Sequence, residues 1–200
     1  MGIKERKQRQ KDDTRSRIVD AALKIGREEG WAALSMRKIG EQIEYSAPVV
    51  YEHFASKDAL LLELTRIGFR KLIRKIEATG GQTNDPVGKI EAMWFGYWNF
   101  AFAEKEFYQL MFGIETNCSC NSMQLPEAAL SRTLMTDAIR MLVSDQQDTG
   151  DKVSATYYTF WSVVHGLISL NMIGNQVPDR MNDQVLSNAL SGIIDSIGVT

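Results

Sequence analysis

The side chains able to do covalent or metal chemistry are few and far apart. The chain of 200 residues holds two histidines, His53 and His165, and two cysteines, Cys118 and Cys120. No glycine-rich phosphate loop and no carboxylate pair at an obvious catalytic spacing accompanies them, so the sequence supplies no nucleophile, base or metal set, and an enzyme is not expected. No cofactor is expected either. Cys118 and Cys120 are separated by a single serine and cannot staple a long loop, which fits a reducing, cytoplasmic setting. As a sensor of oxidants or metal the pair would need Glu115 or Asn117 to help, because a zinc site usually takes four ligands.

What the chain has in quantity is hydrogen-bond donors at one end and aromatic rings in the middle. Residues 1 to 80 carry 17 Lys and Arg against 12 Asp and Glu, a balance of +5, whereas residues 81 to 200 carry 6 against 13, a balance of −7. A basic head on an acidic body implies that only the head meets a polyanion. Between 94 and 112 large rings crowd together, and with Tyr157, Phe160, Trp161, His165 and Met172 they exceed what one apolar stripe can bury. Such a set lines either a plain core or an apolar chamber with a few polar handles, as small-molecule sites are built.

The elements that must position these groups are all helical. Residues 1–11 are polar and lack apolar periodicity, so they read as a flexible basic arm. From about Asp13 to Glu29, Ile18, Ala21, Ala22 and Ile25 form one apolar stripe ending at Gly30. Ser35 caps a two-turn helix containing Ile39 and Ile43; Glu44-Tyr45-Ser46 breaks it, and Ser46 starts a second short helix, 47–53, with Pro48 in its first turn. Ser56 then caps a long helix, 57 to about 78. After the Gly80-Gly81 linker come helical spacings at about 86–103, 105–115, 126–146, 151–174 and 183–198, with no strand-like alternation. The fold is therefore expected to be all-α, with a flexible arm over 1–11, a helix-turn-helix domain over 12–56, a connecting helix and linker over 57–84, and a ligand-binding and dimerisation domain over 85–200. No apolar run is long enough to span a bilayer, and no membrane association is expected.

Two short helices joined by a tight turn and flanked by longer ones suit a helix-turn-helix, whose second helix enters a DNA major groove. The stretch Leu34 to Leu62, LSMRKIGEQIEYSAPVVYEHFASKDALLL, resembles the tetracycline-repressor (TetR) family of bacterial regulators: Tyr51, His53, Phe54, Lys57, Asp58, Leu60 and Leu61 stand where the family pattern places them. The resemblance implies about nine helices, a homodimer, and a DNA-binding set. Ala47, Pro48 and Val49 become the groove-facing start of the recognition helix, Tyr51 and His53 contact phosphates or base edges, and Arg37 and Lys57 reach phosphates. The helix N-terminus at Ser35 favours an anion. Two features depart from the family: Glu44 stands where a small turn glycine is common, and the recognition helix offers apolar groups instead of base-reading amides. Specificity should then rest on thymine-methyl contacts and DNA shape.

In the body, Trp161-Ser-Val-Val-His165-Gly166 resembles the Trp-x-x-x-His-Gly signature of the WHG subfamily of TetR C-terminal domains. Gly166 there suggests a tight helix contact. A small, largely apolar effector is expected against Trp94, Tyr97, Trp98, Phe102, Met111, Phe112, Phe160, Trp161 and His165. The apolar stripe Val185, Leu186, Ala189, Leu190, Ile193, Ile194 and Ile197 on the last helix, with the helix before it, reads as a dimer interface. The expected function is a homodimeric repressor on an inverted-repeat operator, released by its effector. Thiol sensing at Cys118 and Cys120, or a helical interaction protein without a ligand, are the alternatives.

Overall fold

Helix starts follow the caps. The Ser35 hydroxyl accepts from the Lys38 N–H at 3.2 Å, the Ser56 hydroxyl from Ala59 N–H at 3.1 Å, and Asp85 Oδ2 from Gly88 N–H at 2.7 Å. Each satisfies an amide that the helix cannot. The computed structural model describes residues 2–113, 122–143, 149–174 and 178–197. Among them it has nine α-helices and no strand: α1 (Ile3–Glu29), α2 (Met36–Ile43), α3 (Ala47–His53), α4 (Lys57–Gly80), α5 (Pro86–Ala103), α6 (Lys105–Phe112), α7 (Pro126–Arg140), α8 (Thr149–Met172) and α9 (Asp179–Ser196). Pro86 and Pro126 stand in the first turns of α5 and α7, where a missing N–H costs nothing. None of the described helices is long and apolar enough to cross a membrane.

One segment differs from the sequence expectation. Residues 3–11, expected as a flexible arm, form the first turns of α1. Their lack of apolar periodicity has a simple cause: residues 4–13 are all exposed, so no stripe is needed until Thr14 meets the core. Local polar contacts hold these turns, with Gly2 N–H donating to Glu5 Oε2 at 3.1 Å and Gln8 Nε2 to Asp12 Oδ1 at 2.9 Å.

By their contacts the residues divide into two compact units. The first comprises 1–68 and 106–122, the second 69–105 and 123–200, so α4 gives its first half to one and its second half to the other. In the first unit α1 packs on α2 and α2 on α3. Helix α6 groups here through close contact: a Cβ on Gly68 would sit 2.6 Å from Met111 Sδ, and Arg27 Nε meets Glu106 Oε1 at 3.3 Å. In the second unit α5 packs on α7 and α8, α7 on α8, and α8 on α9. Asn171 and Asn182 join α8 to α9 by a reciprocal amide pair, both bonds 3.0 Å.

Candidate nucleic-acid interface and aromatic interior

The helix-turn-helix is built by apolar anchors on one side and polar groups on the other. Ile39, Ile43, Val50 and Phe54 are buried and fix the angle between α2 and α3. Between the helices Glu44 takes the left-handed conformation at φ 62°, ψ 37°, an unusual place for a residue with a Cβ. The chain then folds back so closely that Tyr45 N–H donates to Gly40 O at 2.9 Å. A Cβ on Gly40 would lie 2.7 Å from the Tyr45 carbonyl oxygen, so only glycine fits under the turn. Ser46 holds an extended cap conformation but its side chain makes no cap hydrogen bond, unlike Ser35 and Ser56.

Two arginines of α1 clamp this module from behind. The Arg15 guanidinium lies 4.3 Å from the Phe54 ring centroid and donates to His53 O at 3.3 Å. Arg17 donates to Ile43 O at 2.7 Å, satisfying a carbonyl at the end of α2, and sits 5.3 Å from the Tyr45 ring. Neither was a sequence candidate, because their partners lie 26 to 39 residues away and no local motif announces them.

The outer side of the module is open. Tyr51 is 52% exposed, and Ser35, Arg37, Pro48 and Glu52 are exposed, while Ala47, Val49, His53 and Lys57 are half-buried. Arg37 pairs with Glu41 at 2.9 Å, but with 83% of its side chain exposed it is available to a stronger anion. One hydrogen bond of the Lys57 ammonium goes to Trp31 O at 3.3 Å, which fixes the side chain and leaves two donors in its inventory. Helix α3, of seven residues, is about 10 Å long and suits a groove about 12 Å wide.

The second unit has an aromatic interior. Trp94 stacks on Phe160 at 5.4 Å between ring centroids and meets Tyr97 at 5.6 Å and Tyr157 at 6.1 Å. Its indole N–H is buried and has no acceptor among the described residues. Around it, Trp161 Nε1 donates to the Tyr97 hydroxyl at 3.1 Å and Trp161 stacks on His165 at 5.0 Å. Burial pushes the Tyr157 phenol up to about 12, against a smaller opposing pull from Arg132, and burial lowers the His165 imidazole below 6.5. Both groups are therefore neutral at pH 7. A separate cavity of about 260 Å³ opens between the end of α4, the start of α5 and α7, lined by Ile76, Gly80, Met93, Leu134 and Met141 with Glu77, Lys89 and Asp137.

Two family models match the sequence. One, described as bacterial regulatory proteins of the tetR family, covers residues 18–64; the other, described as a tetracyclin repressor-like C-terminal domain, covers residues 90–191. The chain belongs to the TetR family. It carries both the N-terminal domain of these bacterial regulatory proteins and their repressor-like C-terminal domain. A curated relative, the HTH-type transcriptional activator FasR of Mycolicibacterium smegmatis, is 24% identical over 140 residues, 70% of this chain. This chain spans 62% of that relative's length. Two crystal structures share the fold: SCO4313, with a TM-score of 0.76, 21% identity and 93% of this chain and 97% of that one covered, and Thermus thermophilus FadR in complex with lauroyl-CoA, with 0.60, 16% and 92% of each.

Against this TetR frame the sequence candidates fall into groups. Ser35, Arg37, Ala47, Pro48, Val49, Tyr51, His53 and Lys57 are brought together on α2, α3 and the start of α4 within the first unit. Trp94, Tyr97, Trp98, Phe102, Phe160, Trp161 and His165 all lie in the second unit; Trp98 is nearly buried and packs at 4.7 Å on Phe102, which is 42% exposed. Met111 and Phe112 belong to the first unit, where Met111 abuts Gly68 and Phe112 packs on Tyr108 at 4.6 Å. Gly166 is not at a tight contact: a Cβ there would meet nothing within 4 Å. Of the α9 stripe, Leu186, Leu190, Ile194 and Ile197 are buried, while Val185 is exposed and Ala189 and Ile193 are half-buried. Cys118 and Cys120 lie outside the described residues.

Proposed function

We propose that this TetR-family chain is a homodimeric repressor that binds an inverted-repeat operator and is released by a small, largely apolar effector held in its second unit. Groove contact comes from Ala47, Pro48 and Val49, and phosphate contact from Arg37, Tyr51, His53, Lys57 and the capped N-terminus at Ser35. The observation that carries the effector reading is the set of rings formed by Trp94, Tyr97, Tyr157 and Phe160, within which the Trp94 N–H has no acceptor among the described residues. Trp31 in the first unit has an orphan N–H as well, so the rings and not the donor alone mark the place. An unsatisfied buried donor costs about 1–3 kcal/mol, and a ligand bearing an acceptor recovers that cost. Lauroyl-CoA, present in the Thermus thermophilus FadR structure, is the first effector to test: it joins an apolar chain to acceptor oxygens.

Exposed Tyr158 and Leu170 on α8 and Met181 and Val185 on α9 support a dimer through these helices, where they gain burial against a second copy. The domain organisation we favour keeps 12–56 as the DNA-reading module and 57–84 as its connection to the sensing body, with α4 as the transmitting helix. Effector binding then alters the separation of the two recognition helices to the extent that it prefers one arrangement. The name of the FasR relative favours a second reading, in which effector or DNA binding activates transcription.

The deciding experiment selects bound duplexes from a random pool, then titrates lauroyl-CoA into a gel shift and a transcription assay on the selected operator. Release of DNA and rise of transcription support the repressor; effector-strengthened binding with rising transcription supports the activator. Unchanged operator affinity at saturating lauroyl-CoA, with no thermal shift, rejects this effector class.

A further inference from the structure

We propose that Lys4, Lys7 and Lys11 form a phosphate-contacting stripe that carries the DNA footprint beyond the helix-turn-helix. This rests on the DNA-binding reading of α2 and α3 and adds a surface to it. The three lysines and Arg15 stand at i, i+3, i+7 and i+11, so they share one side of α1. It is the side that turns inward further along, where Thr14, Ile18, Ala21, Ala22 and Ile25 are buried. Beyond the core the same stripe continues, but its residues change from apolar to lysine.

Arg15 fixes where that stripe points. Its guanidinium lies against Phe54 and donates to His53 O at the end of the recognition helix, so this side of α1 faces the end of α3. From Arg15 back to Lys4 the helix extends about 16 Å. DNA seated on α3 presents one charge per roughly 1.7 Å of its axis, a density that a row of exposed lysines complements. The carboxylates of these turns do not oppose it. Glu5 accepts from Gly2 N–H, Asp12 accepts from Gln8, and with Asp13 they lie off the lysine stripe by helical position. The stripe offers no apolar group to a membrane or a second core. It fits a polyanion that lies along α1.

The test replaces the stripe in the full chain with Lys4→Gln, Lys7→Gln and Lys11→Gln, and separately changes Arg6→Gln and Arg9→Gln on the opposite side. Glutamine keeps the helix propensity, and circular dichroism checks that it does. Binding is measured from low to moderate salt on the duplex selected from a random pool and on a scrambled duplex of the same length. Loss of three phosphate contacts lowers the slope of log affinity against log salt by about 2.7 per protomer. Both duplexes weaken by the same factor, because phosphate contacts carry no sequence information. The backbone-protection footprint shortens at its outer edge, and the Arg6 and Arg9 variant changes the slope less. An unchanged slope and footprint in the triple lysine variant overturns the proposal, as does an equal effect from the opposite side. Failure of the parent reading looks different: wild-type protein would not distinguish selected from scrambled duplex.

Discussion

The two units bury hydrophobic side chains by the same rules, and each holds a buried indole N–H with no acceptor among the described residues, Trp31 in the first and Trp94 in the second. They place their other polar groups differently. In the first unit the polar groups of interest are outside and supported from within: Tyr51 is exposed while Val50 and Phe54 anchor its helix, and Arg15 and Arg17 brace the ends of α3 and α2. In the second unit they are inside, with Trp161 donating to the Tyr97 hydroxyl and Tyr157 and His165 kept neutral by burial. A surface that meets a fixed polyanion can be finished in advance.

This contrast predicts that the aromatic interior is fragile in stability and the DNA face fragile mainly in binding. The largest effect is expected from Trp94→Ala, which removes a buried ring stacked on Phe160 and costs about 3–5 kcal/mol in denaturant unfolding. Trp94→Phe keeps a ring and removes the orphan N–H, so it should cost less than half as much while weakening the effector; an equal cost would show that the N–H is satisfied in solution. Next comes Gly40→Ala, where the new methyl meets backbone at 2.7 Å and overpacking costs about 1–3 kcal/mol, with loss of operator binding.

Smaller effects sharpen the same division. Tyr51→Ala should weaken the operator while leaving unfolding within about 0.5 kcal/mol, as exposed positions do. Lys57→Ala should weaken it too, but also removes the bond to Trp31 O and should cost about 0.5–1.5 kcal/mol. A matching fall in stability for Tyr51→Ala would merge the two classes. Glu44→Gly relieves a left-handed Cβ and should stabilise by up to about 1 kcal/mol with operator affinity unchanged. The smallest effect is in pH. Because the folded His165 pKa lies below 6.5, the unfolded chain binds protons more readily, so its stabilising contribution holds above pH 6.5 and falls as the pH drops through the folded value. Tyr157, raised to about 12 by burial, gives the mirror case: its contribution holds below pH 10 and is lost as pH rises toward 12. Melting temperature against pH, with His165→Gln flattening the acid limb, checks the first.

What the sequence disclosed was what it encodes locally. Ser35, Pro48, Tyr51 and Lys57 sit within one short motif whose caps and spacing are readable without the fold, and the nine helices followed from periodicity and punctuation. Arg15 and Arg17 were hidden because their roles depend on Phe54, His53, Ile43 and Tyr45, far along the chain. The first turns of α1 were missed because an exposed helix has no apolar period to detect. Met111 and Phe112 read as neighbours of Trp94 because they follow it closely in sequence, yet α6 packs on Gly68 in the other unit. Gly166 was misread for a related reason: a glycine marks permission for a close approach, and here nothing comes close.

The Asn171 and Asn182 amide pair has a consequence for how the last two helices can be assembled. Leucine and isoleucine along α9 would tolerate a slide by one turn against α8, since one aliphatic group packs much like another. A reciprocal pair of amide bonds, with Asn182 buried, exists at a single alignment and leaves donors and acceptors stranded at every other. The pair thus works as an index mark on an otherwise smooth rail. Any dimer built on these two helices inherits that alignment.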